Sequence, residues 1–318
     1  CTAAVFLARQ GLSVALLERS SDPTHFKKNC NHVIQPSANG TFHRLGVLER
    51  LREKGAARHQ VEAWSPYGWL PWDDTLESGC NLRREVLDPL LRDHAANTPG
   101  VTLLLGYNVT ELLFRDERAV GVTARDGSAQ HHRLAARLVV GADGRKSRVA
   151  ALAKVPTEIT PNGRAYYFGY YEGVELAGGE ASMVWWNGPD VAMCFHTDSD
   201  LIVLGFMPSK DKLPQFRKDI EGSMLRFFEQ LPHGPRMSRA RRVSEMRGML
   251  DMPNQVRPAA ACGVALVGDA ALTSDPMVGV GCTWALESAE WLAEHVGPGL
   301  VAQVDLDRFG QGKPAEVL

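Results

Sequence analysis

A buried strand, Gly263-Val-Ala-Leu-Val267, runs into Gly268-Asp269, and the chain then delivers Pro276 and Gly279-Val280-Gly281 at the start of a helix expected from about Cys282 to His295. No other stretch narrows the possible folds as far. A carboxylate fixed at a strand end accepts hydrogen bonds from a polyol chain. A helix N-terminus opened by glycines stabilises negative charge close to its backbone. Asp269 alone is explained as a helix cap. The ordered run of strand, acid, proline and paired glycines favours a cofactor site instead.

The other end of the chain carries a matching signal. Cys1 to Gly11 reads as a helix with Ala3, Ala4, Phe6 and Leu7 on its apolar face and Gly11 as C-cap. Leu12 to Leu17 reads as a short buried strand, with Glu18 at its end. Helix, tight turn, strand and acid make the second half of a dinucleotide-binding β-α-β unit, whose acid binds ribose hydroxyls. Glu18 by itself is equally well a solvated charge. In a complete unit a strand and a glycine-rich loop come before the helix. Neither is present, and no Met opens the chain, so the sequence reads as a fragment that has lost its N-terminus.

Between these ends the texture changes. Arg84-Glu-Val-Leu87 begins a helix reaching about Ala96, and strands follow at Val101–Leu105, Val109–Phe114 and Ala119–Arg125. The last turns back at Asp126-Gly127. Leu138-Val-Val140 leads into Gly141-Ala-Asp143-Gly144, where Ser147 is a plausible helix cap. From about Pro156 to Met249 aromatic and apolar runs at Tyr166–Tyr171, Met183–Trp186, Val191–His196 and Leu201–Met207 read as antiparallel strands, with an amphipathic helical region at Leu213–Leu231. Trp64 to Trp69 reads as a hairpin. The expected fold class is α/β: a discontinuous Rossmann-like nucleotide-binding domain with an inserted β-sheet substrate domain.

Composition excludes several alternatives. With 44% hydrophobic and 23% charged residues and a net charge of -2, the chain is neither disordered nor a basic nucleic-acid arm. No apolar run approaches a membrane span, and no secretory leader is visible. Six scattered cysteines without a Cys-x-x-Cys pair suggest free thiols in a reducing cytosol, so a cytoplasmic location is expected. No His-x-x-x-His spacing suggests a metal, and no Gly-x-Ser-x-Gly elbow suggests a hydrolase. His196, on an apolar strand, reads as a satisfied core histidine ahead of one facing a substrate pocket, and Arg239-Ala-Arg241-Arg242 as a solvated basic face.

Four features in this order resemble the flavoprotein monooxygenases with the para-hydroxybenzoate hydroxylase fold. They are the Gly11-to-Glu18 remnant, Arg84-x-x-Leu87, Gly141-Ala-Asp143-Gly144, and Gly268-Asp269 through Gly281. The resemblance runs from residue 1 to about 296 and is specific for the superfamily, not for one substrate. It implies an FAD-binding domain over 1–62, 81–156 and 251–318, with a substrate domain made of a hairpin at 63–80 and a β-rich segment at 157–250. It also implies roles for individual residues. Glu18 would hold the adenosine ribose, and Arg84, with Arg83 as a substitute, the phosphates or ribityl chain. Asp143 and Gly144 would support FAD and NAD(P)H binding, and Gly268-Asp269 the ribityl or pyrophosphate part. Pro276, Gly279, Val280 and Gly281 would lie along the isoalloxazine ring, with the His32–Pro36 loop nearby.

The implied reaction has two stages: NAD(P)H reduces FAD, and the reduced flavin with molecular oxygen forms a C4a-hydroperoxide that hydroxylates an aromatic or polyketide-like small molecule. No catalytic base can be named. A reductase of the same fold, similar to geranylgeranyl reductase, is the alternative enzyme, and a fragment that binds without turnover is the non-enzymatic one. The Trp-x-Trp-x-Ile-Pro signature of flavin-dependent halogenases is not found. Without the glycine loop, these residues alone are expected to bind FAD poorly, and a chain of full family length would continue past Leu318.

Overall fold

The computed structural model describes residues 1–311, with side chains described as far as 302, so the end of the expected 251–318 segment lies outside the described residues. The opening helix is Thr2–Arg9, with Ala3, Ala4, Val5 and Leu7 buried. Gly11 ends it at φ +88°, and its N–H reaches Ala8 O at 2.9 Å. That left-handed conformation is why glycine stands there. The following strand is Val14–Glu18, in parallel with Val101–Leu105. It is shorter than expected and only half covered. Leu12 belongs to the turn, where it packs with Leu7 and Ala293 in a small core of its own.

Helices Asn39–Leu45, Leu48–Glu53 and Arg84–Ala96 enclose a core of Phe42, Leu45, Leu51, Leu87 and Leu90. The strand Val139–Gly141 runs parallel to Val264–Leu266, with Gly141 opposite Leu266. Asn108–Arg115, Arg118–Arg125 and His131–Ala135 form a meander that turns at Asp126-Gly127 as expected. The final helix is Gly281–Gln311, well beyond the expected end at His295. Pro298 lies inside it. Tertiary contacts carry the helix across a residue that removes one backbone bond. Gln10 Nε2 donates to Ala293 O at 3.0 Å, Arg137 donates to Leu300 O, and Leu300 and Val301 join the Leu7–Leu12 core. Among the described residues no helix is long and apolar enough to cross a membrane.

The second architectural part is an eight-stranded sheet. Tyr166–Glu172, Ile202–Met207, Asp190–His196 and Ser182–Asn187 lie antiparallel in that spatial order. Val61–Ser65 adds in parallel beside Ser182–Asn187 and closes a hairpin with Gly68–Leu70, Trp64 facing Trp69. Tyr166, Tyr167, Phe168, Tyr170 and Tyr171 are all buried, which accounts for a continuous aromatic run in place of alternation. One face packs Tyr166, Phe168 and Tyr170 with Val33, Met252 and Met277 from outside the sheet. The other packs Tyr171, Trp185 and Phe206 under Met224 and Phe228 of the helix Ile220–Glu229. The helical region expected over Leu213–Leu231 is split. Asp219 breaks it and caps the second helix, its carboxylate accepting from Gly222 N–H at 2.9 Å. The Arg239–Arg242 run is only partly solvated. Arg241 and Arg242 pair with the edge of the Tyr166 strand, and Arg242 Nε reaches Glu221 at 2.9 Å.

Gly141 sits where the two parallel strands and the following helix meet. A Cβ there would lie 2.7 Å from Leu266 Cδ2 and 3.1 Å from Val149 Cβ. Gly141→Val is expected to cost at least about 2 kcal/mol through overpacking. Urea denaturation checks it, and an unchanged midpoint would contradict this account of the strand junction.

Candidate functional site

The two aspartate motifs leave neighbouring strands in the same direction. Gly268 follows Val264–Leu266 at φ +55°, with its N–H bonded to Ser288 Oγ at 2.9 Å. A Cβ at Gly268 would lie 3.0 Å from Ala285 Cβ, so glycine lets the long helix press against the strand end. Asp269 follows and faces the N-terminus of that helix. A Cβ built on Gly281 would stand 3.9 Å from Asp269 Oδ1, and Gly281 is exposed.

The loop between these points is tied down from several sides. Pro276 opens a single turn, Pro276–Val278, that Asp275 caps through Met277 N–H at 3.0 Å. Asp275 is in turn held by Arg164 from the β-rich part. Gly279 takes φ +63°, and a side chain there would meet Val33 Cγ1 at 2.9 Å. Gln35 grips both ends of the loop. Its N–H donates to Thr283 Oγ1 at 2.8 Å and its Nε2 to Val278 O at 2.7 Å. Val280 is half-buried between these contacts. The His32–Pro36 segment thus packs directly on the Pro276–Gly281 segment.

Arg84, the first residue of its helix, points to the same place. Its Nε donates to Asp88 Oδ1 at 2.6 Å, and its Nη1 lies 3.5 Å from Cys30 Sγ and 3.6 Å from Cys282 Sγ. Lys27, which sequence reasoning did not single out, completes the link. Its N–H donates to Asp88 Oδ2 at 2.9 Å and its Nζ to Asp269 Oδ2 at 2.7 Å. Burial works against the ammonium charge, but Asp269 together with the Cys30 sulfur outweighs it and holds the Lys27 pKa above the usual lysine value. Arg84, Asp88, Lys27, Asp269 and Gly281 are one connected cluster of polar groups. Such a set can bind hydroxyl and phosphate groups and offset negative charge.

Other expected site residues stand apart from this cluster. Arg83, beside Arg84 in sequence, turns to the sheet side. Its N–H and Nε donate to the two oxygens of buried Asp198 at 2.8 and 2.9 Å. Asp143 is exposed and spends its carboxylate locally, accepting from Ser147 Oγ at 2.6 Å, Arg148 N–H at 2.6 Å and Val149 N–H at 3.0 Å. Ser147 caps the helix through Ala150 N–H at 3.0 Å, and Gly144 takes φ +81° in the turn. Glu18, at the end of its strand, accepts from Ser20 N–H at 2.8 Å. His196 is satisfied by Gly179 O at 2.8 Å, in keeping with a structural histidine.

His32 joins the two architectural parts. It is fully buried at φ +58°, its Nδ1 lies 3.3 Å from Tyr170 Oη, and its Nε2 has no partner among the described residues. Burial, opposed by Asp198 and reinforced by the Arg84 and Arg83 charges, pulls its pKa down to about 3. His59, under the same sheet, is pushed to about 4 by burial.

Comparison with known proteins agrees with this geometry. The family described as "FAD binding domain" matches residues 1–297. The digeranylgeranylglycerophospholipid reductase of Methanosarcina mazei is 26% identical over 255 residues, 74% of this chain and 58% of the reductase. The chain therefore spans less than two thirds of that relative's length. The 6-methylpretetramide 4-monooxygenase of Streptomyces rimosus is 31% identical over 168 residues, 49% of this chain and 38% of the monooxygenase. Among solved structures, the flavin-dependent brominase Bmp2 superposes with a TM-score of 0.82 at 18% identity, over 95% of this chain and 77% of the brominase, a likeness of fold. The expected class, α/β with the para-hydroxybenzoate hydroxylase type of fold, is borne out.

The two depressed histidines set an acid response. Below about pH 6.5 the unfolded chain takes up protons that the folded chain refuses until near pH 4 and pH 3. Stability contributed by each neutral imidazole is therefore present above about pH 6.5 and is lost as pH falls, at up to about 1.4 kcal/mol per pH unit per histidine. The double variant His32→Asn, His59→Asn is expected to flatten the dependence of the urea midpoint between about pH 6.5 and 4. An unchanged slope would refute the assignment.

Proposed function

The chain belongs to the FAD binding domain family of flavoprotein oxidoreductases, and from that premise we propose that it is an FAD-dependent, NAD(P)H-using monooxygenase. Its substrate is an aromatic or polyketide-like small molecule, hydroxylated with one atom of molecular oxygen. The observation that carries this reading is the connected cluster of Arg84, Asp88, Lys27 and Asp269 at the exposed Gly281 helix N-terminus, which the aromatic face of the large sheet backs. Tyr166, Phe168 and Tyr170 pack toward Val33 and Met277, on the two segments that hold the Gly279–Gly281 loop. This packed aromatic core braces the cofactor loop from the sheet side. The similarity to a Streptomyces rimosus enzyme named as a monooxygenase supports the same reading.

The residues present fit FAD. A carboxylate at a strand end, an ammonium paired with it and an exposed helix N-terminus stand within one connected cluster. When bound, FAD supplies electron transfer from NAD(P)H and activation of oxygen. In this reading Asp269 accepts hydrogen bonds from the ribityl hydroxyls, and Gly268 keeps that carboxylate at the helix end. Arg84 and Lys27 balance phosphate charge. Glu18 receives the adenosine ribose, while Asp143 and Gly144 stiffen the turn beside the Asp269 strand. Pro276, Gly279, Val280 and Gly281 line the ring, where the helix dipole opposes negative charge. The buried aromatic face excludes water from the reacting side. We assign the FAD-binding part to 1–60, 81–156 and 251–311, and the substrate part to 61–80 with 157–250; the expected boundary after residue 62 moves back to 60 because Val61 and Glu62 pair with Ser182 and Met183 of the large sheet.

A second reading rests on a specific observation: the Methanosarcina mazei relative, matched over 74% of this chain, is named as a reductase. Such an enzyme would use the same FAD cluster to saturate a double bond without oxygen.

The test is made on the product of the complete gene. Under the first reading the purified protein shows a flavin band at about 450 nm that bleaches with NAD(P)H and returns with oxygen. Labelled oxygen gas then enters the product, whereas a reductase incorporates none. Asp269→Ala is expected to weaken FAD binding by about tenfold to a hundredfold, the effect of removing a charged hydrogen-bond acceptor. A colourless protein that refuses added FAD, or an Asp269→Ala variant with unchanged affinity, contradicts the proposal.

A further inference from the structure

The six cysteines are scattered along the sequence, but the fold gathers two of them. Cys30 lies on the loop after the opening strand and Cys282 is the second residue of the long helix. Their sulfurs are 3.6 Å apart, and no disulfide joins them. The distance is a thiol contact, about 1.5 Å longer than a disulfide bond. Arg84 Nη1 faces both sulfurs, at 3.5 and 3.6 Å, and His32 N–H lies 3.4 Å from Cys30 Sγ. Both cysteines are half-buried. Partial exposure leaves the pair open to a small solute.

The chemistry of the pair is asymmetric. The two sulfurs share a hydrogen bond, and His32 N–H faces Cys30 alone; with the positive charge of Arg84 and Lys27 these contacts hold the Cys30 thiol well below its usual range despite burial. The same hydrogen bond holds the Cys282 thiol above its own usual range. Thiolate attack and proton supply are thereby divided between neighbouring sulfurs.

We propose that Cys30 and Cys282 form a redox pair that closes to a reversible disulfide on exposure to hydrogen peroxide. The Cys30 thiolate attacks one peroxide oxygen, the O–O bond breaks, and hydroxide leaves to be protonated to water. Cys30 is then a sulfenic acid. The Cys282 sulfur attacks it, the S–S bond forms, the S–O bond breaks, and the departing hydroxyl takes the Cys282 proton as a second water. Two thiols are oxidised and one peroxide is reduced to two waters. Arg84 carries no bond change and acts as a positioning residue that holds negative charge on Cys30. The closed bond would fasten the loop bearing Lys27 to the N-terminus of the long helix, across the Lys27–Asp269 contact. The inference stands on this thiol geometry and does not depend on the reaction proposed above.

The experiment uses the full chain, reduced, freed of reductant, exposed to a few equivalents of hydrogen peroxide, alkylated, digested and analysed by mass spectrometry. The expected result is loss of two alkylatable thiols, with peptides containing Cys30 and Cys282 joined and separated again by dithiothreitol. Cys30→Ser and Cys282→Ser each abolish that crosslink, and in Cys282→Ser the oxidised Cys30 is trapped by dimedone. Full alkylation of both residues after exposure overturns the proposal. Separate oxidation without a crosslink, or bridging through Cys1, Cys80, Cys194 or Cys262 in their place, overturns it as well.

Discussion

Three residue pairs carry much of this structure: Val139 beside Val264, Val140 beside Ala265 and Gly141 beside Leu266. Parallel pairing needs a long crossover, and here six of the eight strands of the large sheet lie within it. Because the strands run the same way, both aspartate motifs emerge at one edge. Gly141 leaves room for Leu266, and Gly268 leaves room for Ala285 of the long helix. A side chain at Gly268 would push against Ala285 of the helix whose N-terminus Asp269 faces. The cluster of Lys27, Arg84 and Asp269 is a consequence of that packing.

The large sheet is fastened to this frame by contacts of a different kind. Met277 and Val33 pack on its aromatic face, Arg164 holds Asp275, and His32 approaches Tyr170. Val33, His32 and Tyr170 are buried and Arg164 and Asp275 half-buried, so the ion pair is screened less than a fully exposed one. His32 holds a left-handed backbone conformation uncommon outside glycine, and burial keeps its ring neutral. Packing on all sides, including the Gln35 grip on Thr283, holds it there.

Much of the fold was legible because the local signals agree with the tertiary ones. Gly11, Gly46 and Gly144 mark helix ends and a turn with positive φ, and the Trp64–Trp69 hairpin follows its turn residues. The long helix was read too short because Gly297-Pro298-Gly299 signals an end, while contacts with Gln10 and Arg137 lie far away in sequence. The site was legible in part. Asp269, Gly281 and Arg84 are found in one cluster. Lys27 and Cys30 sit in a polar loop with no periodicity, so only the fold pairs them with Asp269 and Cys282. Asp143 shows the opposite limit: its motif is clear, while its carboxylate is occupied by its own turn.

The two neighbouring arginines at the start of the Arg84 helix have a consequence for how this stretch can change over time. Arg83 binds Asp198 on the sheet side, and Arg84 turns to the cysteines and Asp88. Successive residues there serve opposite sides of the molecule, so their order carries as much information as their identity. Substitution at one arginine leaves the other in register. A one-residue insertion or deletion just before Leu87 moves both off their partners together, so length variation should be tolerated far less here than in the nearby Trp72–Glu77 loop.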